Sequence, residues 1–352
     1  MSLGEVGFAP AFVHDQRALR VVFGAGRLDE LPEEVDRLEL RRVLLVATRY
    51  ADRARELLGE RVVDVVTDPR PHVPVDEVAA ATARVRTVGA DGLVAVGGGS
   101  AIGLAKALAL ETGLPVLAVS TTYSGSEMTR VWGRTEAGRK QTGRDDRVAP
   151  RTVIYDPDLV AQLPRETAAA SALNAVAHAA EALYAPDRSV LSDIAAAEAV
   201  RILTTSLAGS APPTDLLRGA YLAGTVLDLT TMGLHHKLCH VLGGSFDLPH
   251  AETHSIVLPQ VLAFNLADPV LAIRFRDVGA DDLPARVQQL ASRYALPMSL
   301  REIGMSEAAI GEVVDAVVAA PPANPRAVEG TAIRALLRRA WAGEPIGEGT
   351  IA

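Results

Sequence analysis

The rhythm of apolar positions changes once along the chain. Up to about residue 157, short apolar runs alternate with amphipathic stretches. Leu19–Phe23, Arg42–Thr48, Arg61–Val66, Leu93–Val96, Pro115–Ser120 and Thr152–Tyr155 are continuous apolar runs, the pattern of parallel strands buried on both faces. Between them, a 3.6-residue rhythm at Leu28, Leu31, Val35 and Leu38 predicts a helix, as do Tyr50–Gly59, Pro74–Val88 and a stretch beginning at Ala101. Strand–helix alternation predicts a doubly wound parallel sheet. One hairpin interrupts it: Val131-Trp132-Gly133, a turn near Glu136-Ala137-Gly138, then Arg139-Lys140. From Asp158 onward strand signals nearly vanish. Helical patterns cover Arg165–Tyr184, Ser189–Leu207, Thr214–Asp228 and Glu252–Asn265. More helices follow from Pro269 to Trp341, broken at Leu296-Pro297, Gly304 and the proline-rich loop from Ala320 to Pro325. The expected organisation is an α/β domain over 1–157 and an all-helical domain over 158–352.

Five of the eight histidines crowd into Gly233–His254: His235, His236, His240, His250 and His254. His236 and His240 are four apart and share a helix face. Gly243-Gly244 is expected to end or bend that helix, and Pro249 precedes His250 in the returning segment. Imidazoles on one face, with another brought back by a turn, suit either a metal site or an anion-binding active site. Lys237 and Cys239, interleaved with Leu238, Val241 and Leu242, argue against a solvated face. Asn174 and His178 repeat the four-residue spacing on the earlier helix, which suggests a shared site.

In the first half, Leu93–Val96 runs into Gly97-Gly98-Gly99-Ser100 and then a helix. A strand, a glycine turn and a helix N-terminus together make a phosphate cradle, because free N–H groups and the helix dipole face the anion. The alternative is an ordinary βα turn, and the spacing differs from G-x-G-x-x-G. The hydroxyl-rich loop Thr121-Thr122-Tyr123-Ser124-Gly125-Ser126-Glu127 follows the next strand, where α/β folds bind ligands.

Composition narrows the choice. The 352 residues suffice for two domains, and 49% hydrophobic with 22% charged residues is ordinary for a globular chain. A net charge of −8 argues against nucleic acid or an anionic membrane as the main partner. Cys239 alone forms no internal disulfide and fits a reducing compartment, and MSLGEVGFAP lacks the pattern of a signal peptide. The expectation is a cytoplasmic protein. Nearly all positive charge is arginine. Lysine is kept only at Lys106, Lys140 and Lys237, each inside a motif-bearing stretch, which favours a functional reading for all three.

The order GGGS, TTYSGSE, a late lysine, N-x-x-x-H, H-x-x-x-H and PH resembles the iron-containing alcohol dehydrogenase superfamily over nearly the whole chain. Within it, SALNAVAHAAEALYAP, GLHHKLCHVLGGSFDLPHAETHSIVLP and NPR…AIRALLRRAW are similar to the maleylacetate reductase family. The resemblance implies a dehydroquinate synthase-like fold. Its α/β N-terminal dinucleotide-binding domain and all-α C-terminal domain would flank a cleft, usually in a homodimer. It places the cofactor pyrophosphate at Gly97, Gly98, Gly99 and Ser100, the ribose side at Thr121, Thr122 and Ser126, and Lys140 near the nicotinamide ribose. Thr48 stands where NAD-selective relatives carry an acid. Thr48 does not repel a 2′-phosphate and Arg49 could attract one, so NADH use with NADPH tolerated is expected.

In metal-dependent relatives an aspartate and three histidines hold iron or zinc. The resemblance maps these positions to Asn174, His178, His240 and His250. An amide at Asn174 is a poorer partner for a divalent cation than a carboxylate, and the implied chemistry is metal-free. Three histidines alone can still hold zinc. The implied reaction is NAD(P)H-dependent reduction of the conjugated double bond of maleylacetate, a small dianion, to 3-oxoadipate, a step in aromatic-compound degradation. His240 and His250 would face the enolate oxygen and a carboxylate. His236 or His178 would supply the proton, and Lys237 would pair with a carboxylate. The rival is a metal-dependent alcohol dehydrogenase, or a reductase repurposed for another acidic substrate; Ser120 and Arg130 depart from the pattern expected of maleylacetate reductases.

Overall fold

A computed structural model describes residue 9 and residues 11–136, 139–209 and 212–347. The chain divides into two compact units: Gln16–Leu163, and Pro164–Ala352 joined by Met1–Asp15. By compactness the division falls after Leu163.

The first unit runs β1 (Arg20–Phe23), α1 (Leu31–Arg37), β2 (Val43–Ala47), α2 (Ala51–Leu58), β3 (Val62–Val66), α3 (Val75–Val88), β4 (Gly92–Gly97), α4 (Gly99–Thr112), β5 (Val116–Ser120), β6 (Val131–Glu136), β7 (Arg139–Arg144), β8 (Thr152–Tyr155) and α5 (Pro157–Val160). Six strands form one parallel sheet in the order β1-β8-β5-β4-β2-β3, while β6 and β7 pair as an antiparallel hairpin. Alternate residues of each strand face opposite sides. Leu44, Val46, Leu93, Ala95, Val116 and Ala118 pack with α3 and α4. Leu45, Val94, Val96, Leu117, Val119 and Ile154 pack with α1 and α2 on the other side. Leu159 of α5 joins this second core, which is why the chain after Pro157 still belongs to the sheet. The hairpin turn at Ala137 and Gly138 lies outside the described residues.

Strand order reverses about β2: the chain leaves it for β3 on one side, then crosses to β4 on the other. Ligands of open α/β sheets bind at the carboxyl ends of strands beside such a reversal. The residues there are Thr48 after β2, Gly97–Gly99 at the end of β4 and Thr121 after β5, brought level by the pairs Ala47–Val96 and Gly97–Ser120.

The second unit is helical throughout its described residues: α6 (Arg165–Ala182), α7 (Val190–Ala208), α8 (Pro213–Leu229), α9 (Leu234–Phe246), α10 (His250–Leu266), α11 (Pro269–Asp277), α12 (Leu283–Arg293), α13 (Ala309–Ala319) and α14 (Gly330–Ala342). A Ser189–Ser192 capping box starts α7. The central helix α10 is buried continuously from Thr253 to Leu266. Together α9, α10, α13 and α14 enclose one core containing Leu238, Leu242, Val257, Val313 and Leu336. Gly243-Gly244 does not end α9; the helix continues to Phe246 and stops where Asp247 takes a left-handed φ of 53°. Packing of Leu238 and Leu242 outweighs the roughly 1 kcal/mol that each helical glycine costs. Among the described residues no single helix is long and apolar enough to cross a membrane.

Candidate active site

The glycine turn of the Gln16–Leu163 unit is the candidate cofactor site. Helix α4 starts at Gly99, two residues earlier than expected, with Gly98 as its N-cap and no side chain capping its first turn. Its leading N–H groups are therefore available to an anion. A Cβ on Gly97 would come within 2.8 Å of the Ala101 Cβ, and one on Gly98 within 2.7 Å of the Thr122 Cγ2. Gly99 has open space where a side chain would stand. Two glycines thus allow close packing, and the third leaves room for a ligand. In the neighbouring loop the Thr122 and Ser124 hydroxyl oxygens are buried without a partner among the described residues, as befits groups awaiting a polar ligand. Thr121 is buried and donates its backbone N–H to Gly97 O.

Lys106 is not part of this cradle. It is 1% exposed and its Nζ donates to Ser126 O and to Thr129 Oγ1, so it clasps the far end of the hydroxyl loop. Ser120 Oγ donates to Thr122 O within the same loop. Tyr155 donates to the buried Glu127 carboxyl, which burial raises above its ordinary range. Thr48 is exposed, and the Arg49 guanidinium is engaged with Gln162 O. Lys140 lies in β7; its side chain is outside the described residues.

The helical unit, taken by itself, carries an imidazole cluster. Helix α6 carries Asn174 and His178 one turn apart, both buried. Helix α9 carries His235, His236, Lys237 and His240, and His250 is the first residue of α10. The ring stacked on His178 is that of His236, at 4.9 Å, while His240 stands 6.2 Å from His236. His236 also meets His235 and His254, each at 5.1 Å, and His250 meets His254 at 4.3 Å. His250 is exposed and His240 partly so, whereas His178, His235, His236 and His254 are buried. Lys237 is half-buried, with no ion pair or side-chain hydrogen bond among the described residues.

Four buried atoms in the cluster lack partners among the described residues: Asn174 Oδ1, His178 Nδ1, His236 Nε2 and His254 Nε2. Their burial without hydrogen bonds costs about 1–3 kcal/mol each unless a ligand supplies them. Burial above all, and then the neighbouring imidazoles, hold His178, His235 and His254 well below the usual histidine range. These rings are neutral at neutral pH. His178 is then a hydrogen-bonding partner rather than an acid.

The residue missing from the sequence reading is Glu181. It lies one turn beyond His178 on α6, fully buried. Its Oε2 accepts from Gly233 N at 2.9 Å and lies 2.6 Å from His236 Nδ1, and its Oε1 accepts from His235 N at 2.8 Å and Tyr184 OH at 3.2 Å. The N-x-x-x-H-x-x-E spacing was the available signal, since the three share a helix face.

The fit of a metal depends on the donor set. Asn174 offers an amide oxygen, and both Glu181 oxygens are already engaged by Gly233 N, His235 N, Tyr184 OH and His236 Nδ1, so Glu181 is not free to neutralise a divalent cation. Among the described residues, the ligand atoms that fall within 4.8 Å of one another are those of His235, Cys239 and His254. A Cys-His-His set suits zinc, but His235 Nε2 and His254 Nδ1 are 2.9 Å apart, a hydrogen-bond distance. Tetrahedral zinc would hold them roughly 3.3 Å apart.

The neutral rings predict a pH effect on folding. His178, His235 and His254 have folded pKa values below the unfolded value of 6.5, so the unfolded state binds more protons below that pH. Their contribution is complete above pH 6.5 and is lost as the pH falls beneath it, with a slope of up to about 1.4 kcal/mol per pH unit for each ring. Thermal melts at pH 7.5, 6.0 and 5.0 should show a falling midpoint that His254→Gln makes shallower.

Residues 18–157 match the family described as iron-containing alcohol dehydrogenase, and residues 168–341 match its C-terminal domain. The chain belongs to the iron-containing alcohol dehydrogenase family. It is an oxidoreductase of that family's two-part fold. It is 46% identical over 346 residues to a maleylacetate reductase of Burkholderia cepacia, covering 95% of this chain and 98% of that one. Among solved structures, the maleylacetate reductase of Rhizobium sp. strain MTP-10005 superposes with a TM-score of 0.88 at 39% identity, covering 96% of this chain and all of the other. An iron-containing alcohol dehydrogenase of Corynebacterium glutamicum superposes with a TM-score of 0.89, also at 39% identity, over 98% of this chain and all of the other.

Proposed function

We propose that this chain reduces maleylacetate to 3-oxoadipate with NAD(P)H and without a metal ion. Full-length similarity to maleylacetate reductases supports the substrate. The observation that carries the metal-free reading is the amide at Asn174, its oxygen buried and without a partner among the described residues, beside a Glu181 carboxylate that is already engaged on both oxygens. The glycine cradle and the unpartnered Thr122 and Ser124 hydroxyls support a dinucleotide. Thr48 carries no charge against a 2′-phosphate, which supports tolerance of NADPH.

NAD(P)H held at Gly97–Gly99, Thr122 and Ser124 would supply the hydride that the alkene carbon remote from the ketone takes up. The chain must hold the dianion, stabilise charge on the ketone oxygen and return one proton to the adjacent carbon. Lys237, half-buried and without an anionic partner among the described residues, pairs with a substrate carboxylate. His240 and His250, the more exposed rings, face the enolate oxygen and the second carboxylate. Oriented donors there are worth on the order of 3 kcal/mol in the transition state. His236 gives the proton from Nε2 after that nitrogen has taken one up from solvent, the Nδ1 hydrogen staying with Glu181. The enzyme is expected to work as a homodimer in the cytoplasm.

The alternative is a metal-dependent alcohol dehydrogenase, or a reductase for another acidic substrate; the donor types of His235, Cys239 and His254 favour a metal, while the 2.9 Å between the two imidazole nitrogens does not. Exhaustive chelation separates these. NADH oxidation with maleylacetate is expected to keep its full rate after chelation, with no gain on adding iron or zinc. A rate that collapses and returns with metal would refute the metal-free mechanism.

A further inference from the structure

We propose that Glu181 is a positioning residue that holds His236 in the Nδ1–H tautomer, with Nε2 as the atom presented to substrate. The proposal rests on the reading of His236 as proton donor, but the geometry behind it does not. Glu181 is entirely buried; its oxygens accept from the N–H groups of Gly233 and His235 and from the Tyr184 hydroxyl, and Oε2 also lies 2.6 Å from His236 Nδ1. An ionised carboxylate only accepts, so it suits these donors; a protonated one would spend one oxygen on its own hydrogen. The ring nitrogen facing it therefore carries the hydrogen, and Nε2 holds either a lone pair or the transferable proton.

The same carboxylate fixes where the ring stands. Helix α9 has no side-chain cap of its own. Glu181 reaches over from α6 to accept the N–H groups of Gly233 and His235, satisfying the start of α9 and placing negative charge at its positive end. His236 lies in that first turn. Glu181 thus binds both the ring and the backbone that carries it. The approach is tight: a Cβ on Gly233 would come within 3.1 Å of Glu181 Oε1. Tyr184 completes the arrangement with its hydroxyl, which burial and the Glu181 charge keep protonated well above its ordinary range.

The test uses the whole chain with ¹⁵N-labelled histidine, His236 being assigned through His236→Asn. Without substrate, the wild-type ring should show a protonated Nδ1 and an unprotonated, pyridine-type Nε2 at pH above neutrality. Glu181→Gln should lose that pattern, and should lower kcat for maleylacetate by about 10–100-fold with KM for NADH unchanged. Glu181→Asp should recover part of the loss. Should Glu181→Gln not fold, Tyr184→Phe removes one donor to the carboxylate and should leave the tautomer in place. An Nε2–H tautomer in the wild type overturns the proposal, as does a folded Glu181→Gln with unaltered His236 signals. If maleylacetate is not turned over while the ring behaves as described, the proposed function fails and the positioning role stands.

Discussion

His236→Ala is expected to lower kcat for maleylacetate by about 10²- to 10⁴-fold, the usual worth of a positioned proton donor. NADH affinity should change little, because every residue of the glycine cradle and hydroxyl loop lies in the Gln16–Leu163 unit while His236 lies in the other. Alanine also strips one donor from the buried Glu181 carboxylate, which costs stability of its own. His236→Asn separates the two effects. An asparagine amide can still donate towards Glu181 but has no nitrogen where Nε2 stood. If both variants lose turnover and only alanine lowers the melting temperature, the loss belongs to proton transfer. Wild-type turnover in His236→Asn would remove His236 from the mechanism. The measurement is steady-state NADH oxidation beside an NADH binding titration.

The second large effect is expected at the cradle. In Gly97→Val the new side chain meets the Ala101 Cβ at 2.8 Å and the Thr48 Oγ1 at 3.3 Å. Ala101 sits on the first turn of α4 and cannot swing aside, so the end of β4 must move away from the helix start. Overpacking of this kind costs about 1–3 kcal/mol, or roughly 5- to 150-fold in NADH affinity if it falls on the binding geometry. Gly99→Ala is the control, with nothing within 4 Å of its Cβ. It should leave the melting temperature unchanged, and any loss of NADH affinity it shows comes from contact with the ligand itself. NADH binding to Gly97→Val as tight as to the wild type would remove this turn from the cofactor site.

Much of the fold was open to a reader of the chain. The strands around the switch point were recognisable because parallel strands buried on both faces must be apolar at every position, as Val43–Ala47 and Leu93–Val96 are. Asn174, His178, His236 and His240 could be paired by spacing alone, since helix periodicity is local. Lysine scarcity was a weaker guide. It pointed equally to Lys106 and Lys237, yet Lys106 is enclosed by Ser126 and Thr129 and serves the loop.

What the chain determines by itself is therefore whatever depends on neighbours a few residues away: strand and helix periods, the glycine turn, the shared face of two histidines. Tertiary packing decided the rest. A lone glutamate on an alanine-rich helix reads as surface charge, and Glu181 becomes the anchor of His236 only because α9 begins against it, 52 residues on at Gly233. The glycine pair at Gly243-Gly244 reads as a break, and α9 passes through it because Leu238 and Leu242 are held in a core shared with α10, α13 and α14. Both outcomes turn on contacts between segments far apart in the chain, and no local pattern encodes the burial that such contacts create.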